Sequence, residues 1–246
     1  MIIALLADIH GNREALSACL ADAERRKVER YVFLGDLVGY GADPGWVTDR
    51  VMEYTTRGAI AVLGNHDAAA AGSAVSMNDT AAEAIEWTRR RLGSAQRNFL
   101  QSLPLTIENG ERLYVHASAD QPSRWPYVLD VRAARRSFDA TRARQTYCGH
   151  VHVPALYFQS RSGKLSEFAP APGIAVPLLP GRRWLAVIGA VGQPRDRNPA
   201  ACYALLDVEL DTLTFVRVPY DVESAARKIR EGGLPPVLAA RLEQGY

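Results

Sequence analysis

The first third of the chain alternates short apolar runs with segments whose apolar residues recur at helical spacing. The runs predict buried strands at Ile2 to Ala7, Arg30 to Leu34 and Ala59 to Leu63, and the periodic segments predict helices at Arg13 to Arg26 and about Pro44 to Thr56. This alternation is typical of βαβ units, in which the strands are parallel. We therefore expect a largely parallel sheet at the start of the fold.

The middle of the chain predicts helices and then a hairpin. Residues Asn78 to Leu103 lack strand signals and carry apolar residues at helical spacing, so we expect one or two helices there. Asn109-Gly110 separates two strand-like runs, and this dipeptide supplies the positive φ values of a tight turn. A further helix is expected at about Val131 to Thr141, followed by a strand at Gln145 to Cys148.

The last third changes character. From Val153 to Pro219, short β-branched or aromatic runs are separated by Gly- and Pro-containing turns, which predicts a second, mostly antiparallel sheet. Val222 to Arg230 and Pro236 to Leu242 are expected to be helices. Because no repeat, low-complexity tract or linker interrupts the chain, residues 1–246 are predicted to form a single domain.

Composition narrows the classes of function. A formal net charge of +2 is too small to predict a nucleic-acid-binding or membrane surface. Cys19, Cys148 and Cys202 are too few and too widely spaced for a disulfide framework or a zinc knuckle. The apolar run at the start ends at Asp8 and lacks the basic residues of a secretory signal. We expect a cytoplasmic protein without a membrane partner.

All five histidines lie in short clusters that contain Asp, Gly or Asn, and each cluster follows a predicted strand. Parallel strands end at the same edge of a sheet, so these side chains can converge. Within Asp8-Ile9-His10, alternate residues of an extended segment would point to the same side. Singly, the clusters have plainer explanations, such as a turn, a helix cap or a structural histidine. Those explanations account poorly for the complete set: Asp8, His10, Asp36, Asn65, His66, His116, His150 and His152.

The residue types of this set indicate divalent metal ions. Two imidazoles as close as those of His150 and His152 repel each other when charged and serve well as neutral ligands. Seven N and O ligands, namely Asp8, His10, Asp36, Asn65, His116, His150 and His152, are too many for one tetrahedral zinc and suit two ions that share a carboxylate. Such ions, roughly 3.5 to 4 Å apart, can hold a bridging hydroxide that attacks phosphorus in line. Manganese is the expected metal, although iron, zinc, nickel, cobalt and magnesium also suit these ligands.

The order of the motifs resembles that of the calcineurin-like metallophosphoesterase superfamily. Asp-x-His, Gly-Asp-x-x-Gly, Gly-Asn-His-Asp, a later His and Gly-His-x-His follow one another between residues 8 and 152. Gly189 to Asp196 and Tyr220 to Glu223 resemble the small bacterial, phosphodiesterase-type branch. The resemblance implies an α/β (α+β) fold, a four-layer αββα sandwich in which two facing mixed β-sheets are flanked by helices.

The resemblance also implies how the metal ligands are divided. One ion would take Asp8, His10, Asp36 and His152. The other would take Asp36, Asn65, His116 and His150, so that Asp36 bridges the two. His66 would lie near the leaving-group oxygen, as a general acid or to stabilise developing charge, with Asp67 orienting it. The alternative is that His66 only shapes its loop.

Asn65 and Arg195 are the candidate substrate-binding residues. Arg195 follows a Gly-Gln-Pro turn from which its guanidinium could grip a phosphate, or it could be a surface turn residue paired with Asp196. The segment Arg124, Trp125 and Tyr127 is a further candidate for substrate contact, although loop packing is the better explanation for it.

One departure from the family pattern narrows the range of expected substrates. Gly35 to Gly41 lacks the phosphate-binding Arg of the Gly-Asp-x-x-Asp-Arg-Gly motif found in phosphoprotein phosphatases and symmetrical dinucleoside tetraphosphatases. We therefore predict a phosphodiesterase or nucleotide phosphohydrolase for a small phosphorylated substrate, such as a dinucleoside polyphosphate. The alternatives are a phosphomonoesterase or phosphoprotein phosphatase, a nuclease, for which no basic groove is evident, and a non-catalytic metal-binding interaction module. The sequence does not predict an oligomeric state.

Overall fold

The computed structural model describes all 246 residues. Its strands are β1 (Ile2–Leu6), β2 (Arg30–Phe33), β3 (Ile60–Ala61), β4 (Thr106–Asn109), β5 (Arg112–Val115), β6 (Gln145–Cys148), β7 (Ala155–Gln159), β8 (Leu165–Phe168), β9 (Ala175–Pro177), β10 (Arg183–Val187), β11 (Ala201–Asp207) and β12 (Thr212–Val218). Its helices are α1 (Arg13–Arg25), α2 (Pro44–Thr56), α3 (Asn65–Ala70), α4 (Asp79–Arg89), α5 (Ser94–Ser102), α6 (Val131–Asp139), α7 (Val222–Glu231) and α8 (Pro236–Gln244), with a short 3₁₀ helix at Pro122–Arg124. None of the helices has the length and apolar character needed to cross a membrane.

The strands form two mixed sheets of six strands each. The first has the order β3-β2-β1-β11-β12-β9, and the second has the order β4-β5-β6-β10-β7-β8. In the first sheet β1, β2 and β3 are parallel, as the alternating pattern predicted. In the second, β5, β6 and β10 are parallel. Each sheet therefore collects the carboxyl ends of three parallel strands at one edge.

The strands after residue 153 do not form a sheet of their own, and that prediction was wrong. Three of them, β9, β11 and β12, extend the first sheet, and β7, β8 and β10 join the hairpin strands and β6. The pairing of β11 with β1 matches Ile2 with Asp207, across almost the whole chain. A strand pattern shows which face of a strand is apolar but does not identify its neighbour, because every strand edge carries the same backbone groups.

The two sheets face each other, and helices cover their outer faces. Along β1, Leu5 packs into the cluster between the sheets, whereas Leu6 packs into the cluster with α1 and α2. Burying a leucine side chain stabilises a fold by about 1.5–3 kcal/mol, so both faces of β1 contribute. On the far side, Phe138 of α6 packs against Leu185 of β10. The result is the four-layer helix–sheet–sheet–helix arrangement that the resemblance implied.

Most predicted element bounds agree with the structure to within two residues, and two differ in detail. The segment from Asn78 to Leu103 forms two helices, because α4 ends at Arg89 and α5 begins after its N-cap, Gly93. Strand β3 has two residues rather than the predicted five. Beyond it, the Leu63 amide donates to the carbonyl of Pro104, outside the sheet.

Candidate metal centre

The loops that follow β1, β2, β3, β5 and β6 meet at one edge of the sandwich. Within the first sheet, the Asp8 amide donates to the Gly35 carbonyl over 3.1 Å. Between the sheets, His116 Nδ1 lies 2.8 Å from the Leu34 carbonyl oxygen. The His150 amide donates to Asp8 Oδ2 over 2.8 Å. These hydrogen bonds bring the ends of strands from both sheets to a common point.

A first cluster of possible ligand atoms is formed by four buried side chains. Each of the four residues offers one nitrogen or carboxylate oxygen, and these four atoms lie within 4.8 Å of one another; the residues are Asp8, His10, Asp36 and His152. His10 Nε2 and His152 Nε2 are 3.1 Å apart, and Asp36 Oδ2 is 3.6 Å from His10 Nε2. This is the set that the family resemblance implied for one ion.

A second cluster shares Asp36 with the first. Asp36, His116 and His150 place ligand atoms within 4.8 Å of one another. His116 Nε2 is 3.3 Å from Asp36 Oδ2, 3.1 Å from His150 Nδ1 and 3.1 Å from Asn65 Oδ1. All seven residues expected from the sequence therefore lie together, with Asp36 between the two clusters. Their role as ligands stays a prediction.

The first cluster fits a divalent cation because the facing nitrogen atoms of His10 and His152 carry no proton. The Nδ1 atoms of His10 and His152 face the carbonyl oxygens of Val38 and Gln193, at 3.1 and 2.6 Å. A nitrogen that faces a carbonyl oxygen must carry the proton, which leaves Nε2 of each neutral ring with a lone pair. The two Nε2 atoms therefore direct lone pairs at each other. A cation between them satisfies both, as in metal sites whose histidines donate to backbone carbonyls.

Burial keeps most of these imidazoles in the form that binds metals. It holds the pKa values of His10 and His152 well below the ordinary range and lowers the pKa of His150 to about 3. Burial opposes a charge on His116 too, but the Asp36 carboxylate raises the pKa of His116 to about 9. Burial also raises the pKa of Asp8 to about 8. The neutral imidazoles of His10, His150 and His152, together with the Asp36 carboxylate, make a strong site for added positive charge.

The backbone at this edge is strained. Five of the seven candidate ligands have positive φ angles between 50° and 68°, namely Asp8, His10, Asp36, His150 and His152. Each non-glycine residue held in a sparsely populated region costs of order 1–3 kcal/mol, and such residues concentrate at functional sites. The expected extended geometry at Asp8 and His10 is therefore wrong. Their side chains converge because two left-handed residues turn the chain, not because alternate residues share a face.

Two glycines make room for the carboxylates. A Cβ atom on Gly64 would lie 2.2 Å from Asp36 Oδ1, and one on Gly149 would lie 2.5 Å from Asp8 Oδ2. Both contacts are closer than non-bonded atoms allow. A residue with a side chain would therefore clash at the glycine position of the Gly-Asn-His-Asp motif and of the Gly-His-x-His motif.

His66 lies beside the first cluster, but Asp67 does not contact it as expected. The His66 ring centroid is 4.8 Å from that of His10, and His66 Nδ1 is buried without a hydrogen-bond partner. Asp67 Oδ1 accepts from the amides of Leu37 and Val38 over 2.8 and 3.1 Å. Asp67 therefore positions the loop after β2, and the expectation that it orients His66 directly is wrong.

Tyr40 is a site residue that the sequence reasoning missed. Its buried ring lies 4.6 Å from His10 and 4.5 Å from His66, between centroids, and closes one side of the first cluster. A signal was present, because Tyr40 occupies the place of the missing Arg in the Gly-Asp-x-x-Asp-Arg-Gly motif.

Arg195 is directed toward the site and not toward Asp196. Its guanidinium carbon lies 5.8 Å from the Tyr40 ring centroid, and its Nη2 donates to Gln193 Oε1 over 2.9 Å. Its Nε is buried without a partner. Asp196 instead pairs with Arg217, which removes the alternative of a surface Arg195–Asp196 pair.

Similarity to known proteins agrees with this geometry. Residues 1–211 match the family model for the calcineurin-like phosphoesterase superfamily domain. The chain is 33% identical over 252 residues to the uncharacterised protein MJ0912 of Methanocaldococcus jannaschii, covering 99% of this chain and 98% of that protein.

Solved structures with similar folds include two that match over the full chain. A metallophosphoesterase from Sphaerobacter thermophilus has a TM-score of 0.88 and 35% identity, with 100% of this chain and 99% of that chain covered. The hypothetical protein PH1004 from Pyrococcus horikoshii OT3 has a TM-score of 0.79 and 20% identity, with 100% and 98% covered, which shows the fold alone. From the matched residues and the full-length relatives, the chain belongs to the calcineurin-like phosphoesterase superfamily, a family of metal-dependent enzymes.

Proposed function

We propose that this protein is a phosphodiesterase or nucleotide phosphohydrolase that works with two divalent metal ions. The observation that carries the proposal is the pair of buried ligand clusters that share Asp36. When bound, two such ions supply an activated water and neutralise charge on the phosphoryl oxygens. Manganese is the ion we propose for both positions, with iron, zinc, nickel, cobalt and magnesium as the alternatives.

Asp36 acts as the common ligand in this proposal. Burial would raise its pKa, but the positive charge of His116 holds that pKa well below the ordinary range, so the carboxylate is ionised. Its Oδ1 also accepts from the His66 amide over 2.8 Å, which orients the group. A charged, oriented carboxylate between the two clusters is suited to bridge two cations.

His66 is proposed to act on the leaving-group oxygen. Burial lowers the pKa of His66, so its ring is neutral near pH 7. A neutral imidazole still has one N–H, which can donate to an oxygen that develops negative charge. The structure thus favours charge stabilisation over proton donation by an imidazolium.

Arg195 is proposed to bind the phosphate in place of the motif Arg that this chain lacks. Its guanidinium lies against Tyr40, the residue at the motif position, so the cation reaches the same region from the loop that joins β10 to β11. Asn65 would add its amide group on the side of the second cluster. Both residues are expected to contact the substrate as well as shape the site.

The experiment that tests the proposal compares a diester with a monoester. Metal-stripped protein is assayed on bis-p-nitrophenyl phosphate and on p-nitrophenyl phosphate while Mn²⁺ is added in steps. The proposal predicts metal-dependent hydrolysis with preference for the diester. Preference for the monoester would assign a phosphomonoesterase instead, and two bound ions with no hydrolysis of either ester would contradict an enzymatic role for these substrates.

A cytoplasmic location is part of the same proposal. The three cysteines are buried thiols without disulfide partners, as a reducing compartment favours. Protease protection of the protein in intact cells, lost when the cytoplasmic membrane is opened, would test it.

A further inference from the structure

A cleft of about 410 Å³ opens directly onto the second cluster. Asn65 and His150, two of the candidate ligands, line this cleft. The other lining residues come from two segments, Ala74 to Ser76 and Ser123 to Tyr127. Small-molecule sites typically have volumes of about 300–1,000 Å³, so this cleft can hold a substituent of a phosphate at the metal centre.

An aromatic ring in this cleft is left open on one side. The Tyr127 ring stacks on His150 with centroids 4.0 Å apart and planes inclined by 17°. Although the imidazole covers one face, Tyr127 remains 49% exposed. A tyrosine that served only to pack its loop would be covered on both faces, as Tyr114 is, with 1% exposure. Loop packing therefore explains Tyr127 poorly.

Trp125 is held beside Tyr127 by an unusual backbone. Its ring meets His116 edge to face, with centroids 5.8 Å apart. Gln121 and Trp125, on either side of the 3₁₀ helix Pro122–Arg124, have φ angles of 48° and 54°. Left-handed geometry is rare for a bulky residue, and strain of this kind occurs at ligand clamps. The loop thus has a strained shape that sets Trp125 over the second cluster.

The rest of the cleft lining carries hydroxyl groups and a cation, and it has no negative charge. Ser76, Ser123 and Arg124 supply these groups, beside the apolar Ala74 and Val75. No Asp or Glu lines the cleft. A planar ring with hydrogen-bonding edges, attached to an anionic phosphate, matches this combination of an open aromatic face, hydroxyl groups and a cation.

We propose that the cleft binds the nucleobase of a nucleotide substrate, with Tyr127 as the stacking surface. This inference rests on the proposed function. The Arg195 amide donates to the His152 carbonyl over 3.2 Å, on the side of the first cluster. A phosphate between Arg195 and the second cluster therefore points its nucleoside into the cleft. The substrate class is a nucleotide ester or anhydride, not a small alkyl phosphate.

The test measures binding of two probes that differ in the base. Adenosine 5′-monophosphate and ribose 5-phosphate share a sugar and a phosphate, and their affinities for the Mn²⁺-loaded protein are measured by calorimetry. Stacking of one base is worth roughly 5- to 150-fold in affinity, so the nucleotide is expected to bind more tightly by a factor in that range. Tyr127→Ala should remove most of the preference and Tyr127→Phe should keep it.

The comparison has internal controls. Any loss of metal in Tyr127→Ala weakens both probes equally, so it leaves the ratio of their affinities unchanged. Leu129→Ala changes a neighbouring side chain that is 66% exposed and does not line the cleft, and should keep the preference. Equal affinities in the wild type, a preference that survives both Tyr127→Ala and Trp125→Ala, or no binding of either probe at millimolar concentration would overturn the inference.

Hydrolysis of bis-p-nitrophenyl phosphate, measured on the same samples, separates this inference from the proposed function. Base-dependent binding without hydrolysis would leave the cleft assignment standing and reject the enzymatic proposal. Hydrolysis without base-dependent binding would do the reverse.

Discussion

Strand β6 connects two buried polar clusters that are built differently. At its start, Gln145 is fully buried, and its side-chain nitrogen Nε2 donates to Asp211 Oδ1 over 2.6 Å. Its Oε1 accepts from Tyr147 over 2.9 Å and from Arg112 over 3.2 Å. Just past its end, His150 and His152 belong to the two candidate metal-binding clusters, in which His10 Nε2 and His152 Nε2 face each other 3.1 Å apart.

The difference lies in the balance of donors and acceptors. In the Gln145 cluster, which consists of Gln145, Arg112, Tyr147 and Asp211, every acceptor of the hydrogen bonds above meets an N–H or O–H group. The cluster is therefore complete without a further group and serves the fold. In the metal centre the Nε2 lone pairs of His10 and His152 face each other 3.1 Å apart, beside the Asp36 carboxylate, and a cation between them would satisfy all three groups. Buried polar groups are normally hydrogen-bonded, so two facing acceptors indicate a cation-binding site rather than a structural network.

The largest effect should follow from removing the shared charge. Asp36→Asn keeps the shape of the side chain but takes away the carboxylate common to both clusters. Removing one pre-organised electrostatic group from a catalytic site costs roughly 100- to 1000-fold in turnover. Turnover should fall by at least this factor, with metal content reduced and the circular dichroism spectrum unchanged. Normal turnover by this variant would reject the shared-carboxylate assignment.

A smaller effect on turnover is expected from His66→Ala. If His66 donates to the leaving oxygen and binds no ion, turnover should fall by roughly 100-fold while metal content stays near the wild-type value. Elemental analysis of the dialysed variant makes the distinction. A matching loss of metal would recast His66 as a ligand.

The Gln145 cluster should respond in stability and not in activity. Gln145→Leu leaves the Tyr147 hydroxyl and Asp211 without their partner, and an unsatisfied buried polar group costs about 1–3 kcal/mol. The melting temperature should drop by about 2–10 °C, whereas metal content and turnover at 25 °C should match the wild type. Lost activity in the folded variant would show that the two clusters are not independent.

A further effect, on stability alone, is a change with pH in the metal-free protein. The pKa of Asp8 is raised by burial to about 8, from an ordinary value of 3.8. The folded state thus holds a proton that the unfolded state releases, so stability falls as pH rises toward 8, by about 1.4 kcal/mol per unit for one proton. His116, whose pKa the Asp36 carboxylate raises against burial to about 9, acts in the same direction between pH 7 and 9.

Denaturant unfolding at pH 7 and pH 8.5, with chelator or with Mn²⁺, checks this change. Metal ligands are deprotonated when metal binds, so the fall should be absent from the loaded protein. Equal pH dependence with and without metal would show that these groups do not exchange protons for metal.

Much of the site could be predicted from the sequence because its residues lie next to recognisable strands. The motifs were enough to predict that the seven candidate ligands would lie together, as they do in the structure. The left-handed backbone at Asp8 and His10 could not be foreseen, because Asp and His adopt it only when surrounding structure enforces it. Tyr40, the backbone contacts of Asp67 and the open face of Tyr127 depend on loops whose shapes are set by contacts distant in sequence.

Sheet membership was the part of the fold that sequence reasoning missed. The region from Val153 to Pro219 was correctly expected to consist of short strands, but its pattern does not show that β11 pairs with the edge of β1. Strand propensity reflects a half-buried pleated surface and carries no information about which strand lies alongside.

The most direct test of the central claim is the position and number of bound ions. Crystals grown with Mn²⁺ should give two anomalous-scattering peaks per chain, one at each cluster, with Asp36 contacting both. Two peaks with this arrangement would support the dinuclear account. A single peak, or a peak distant from Asp36, would contradict it.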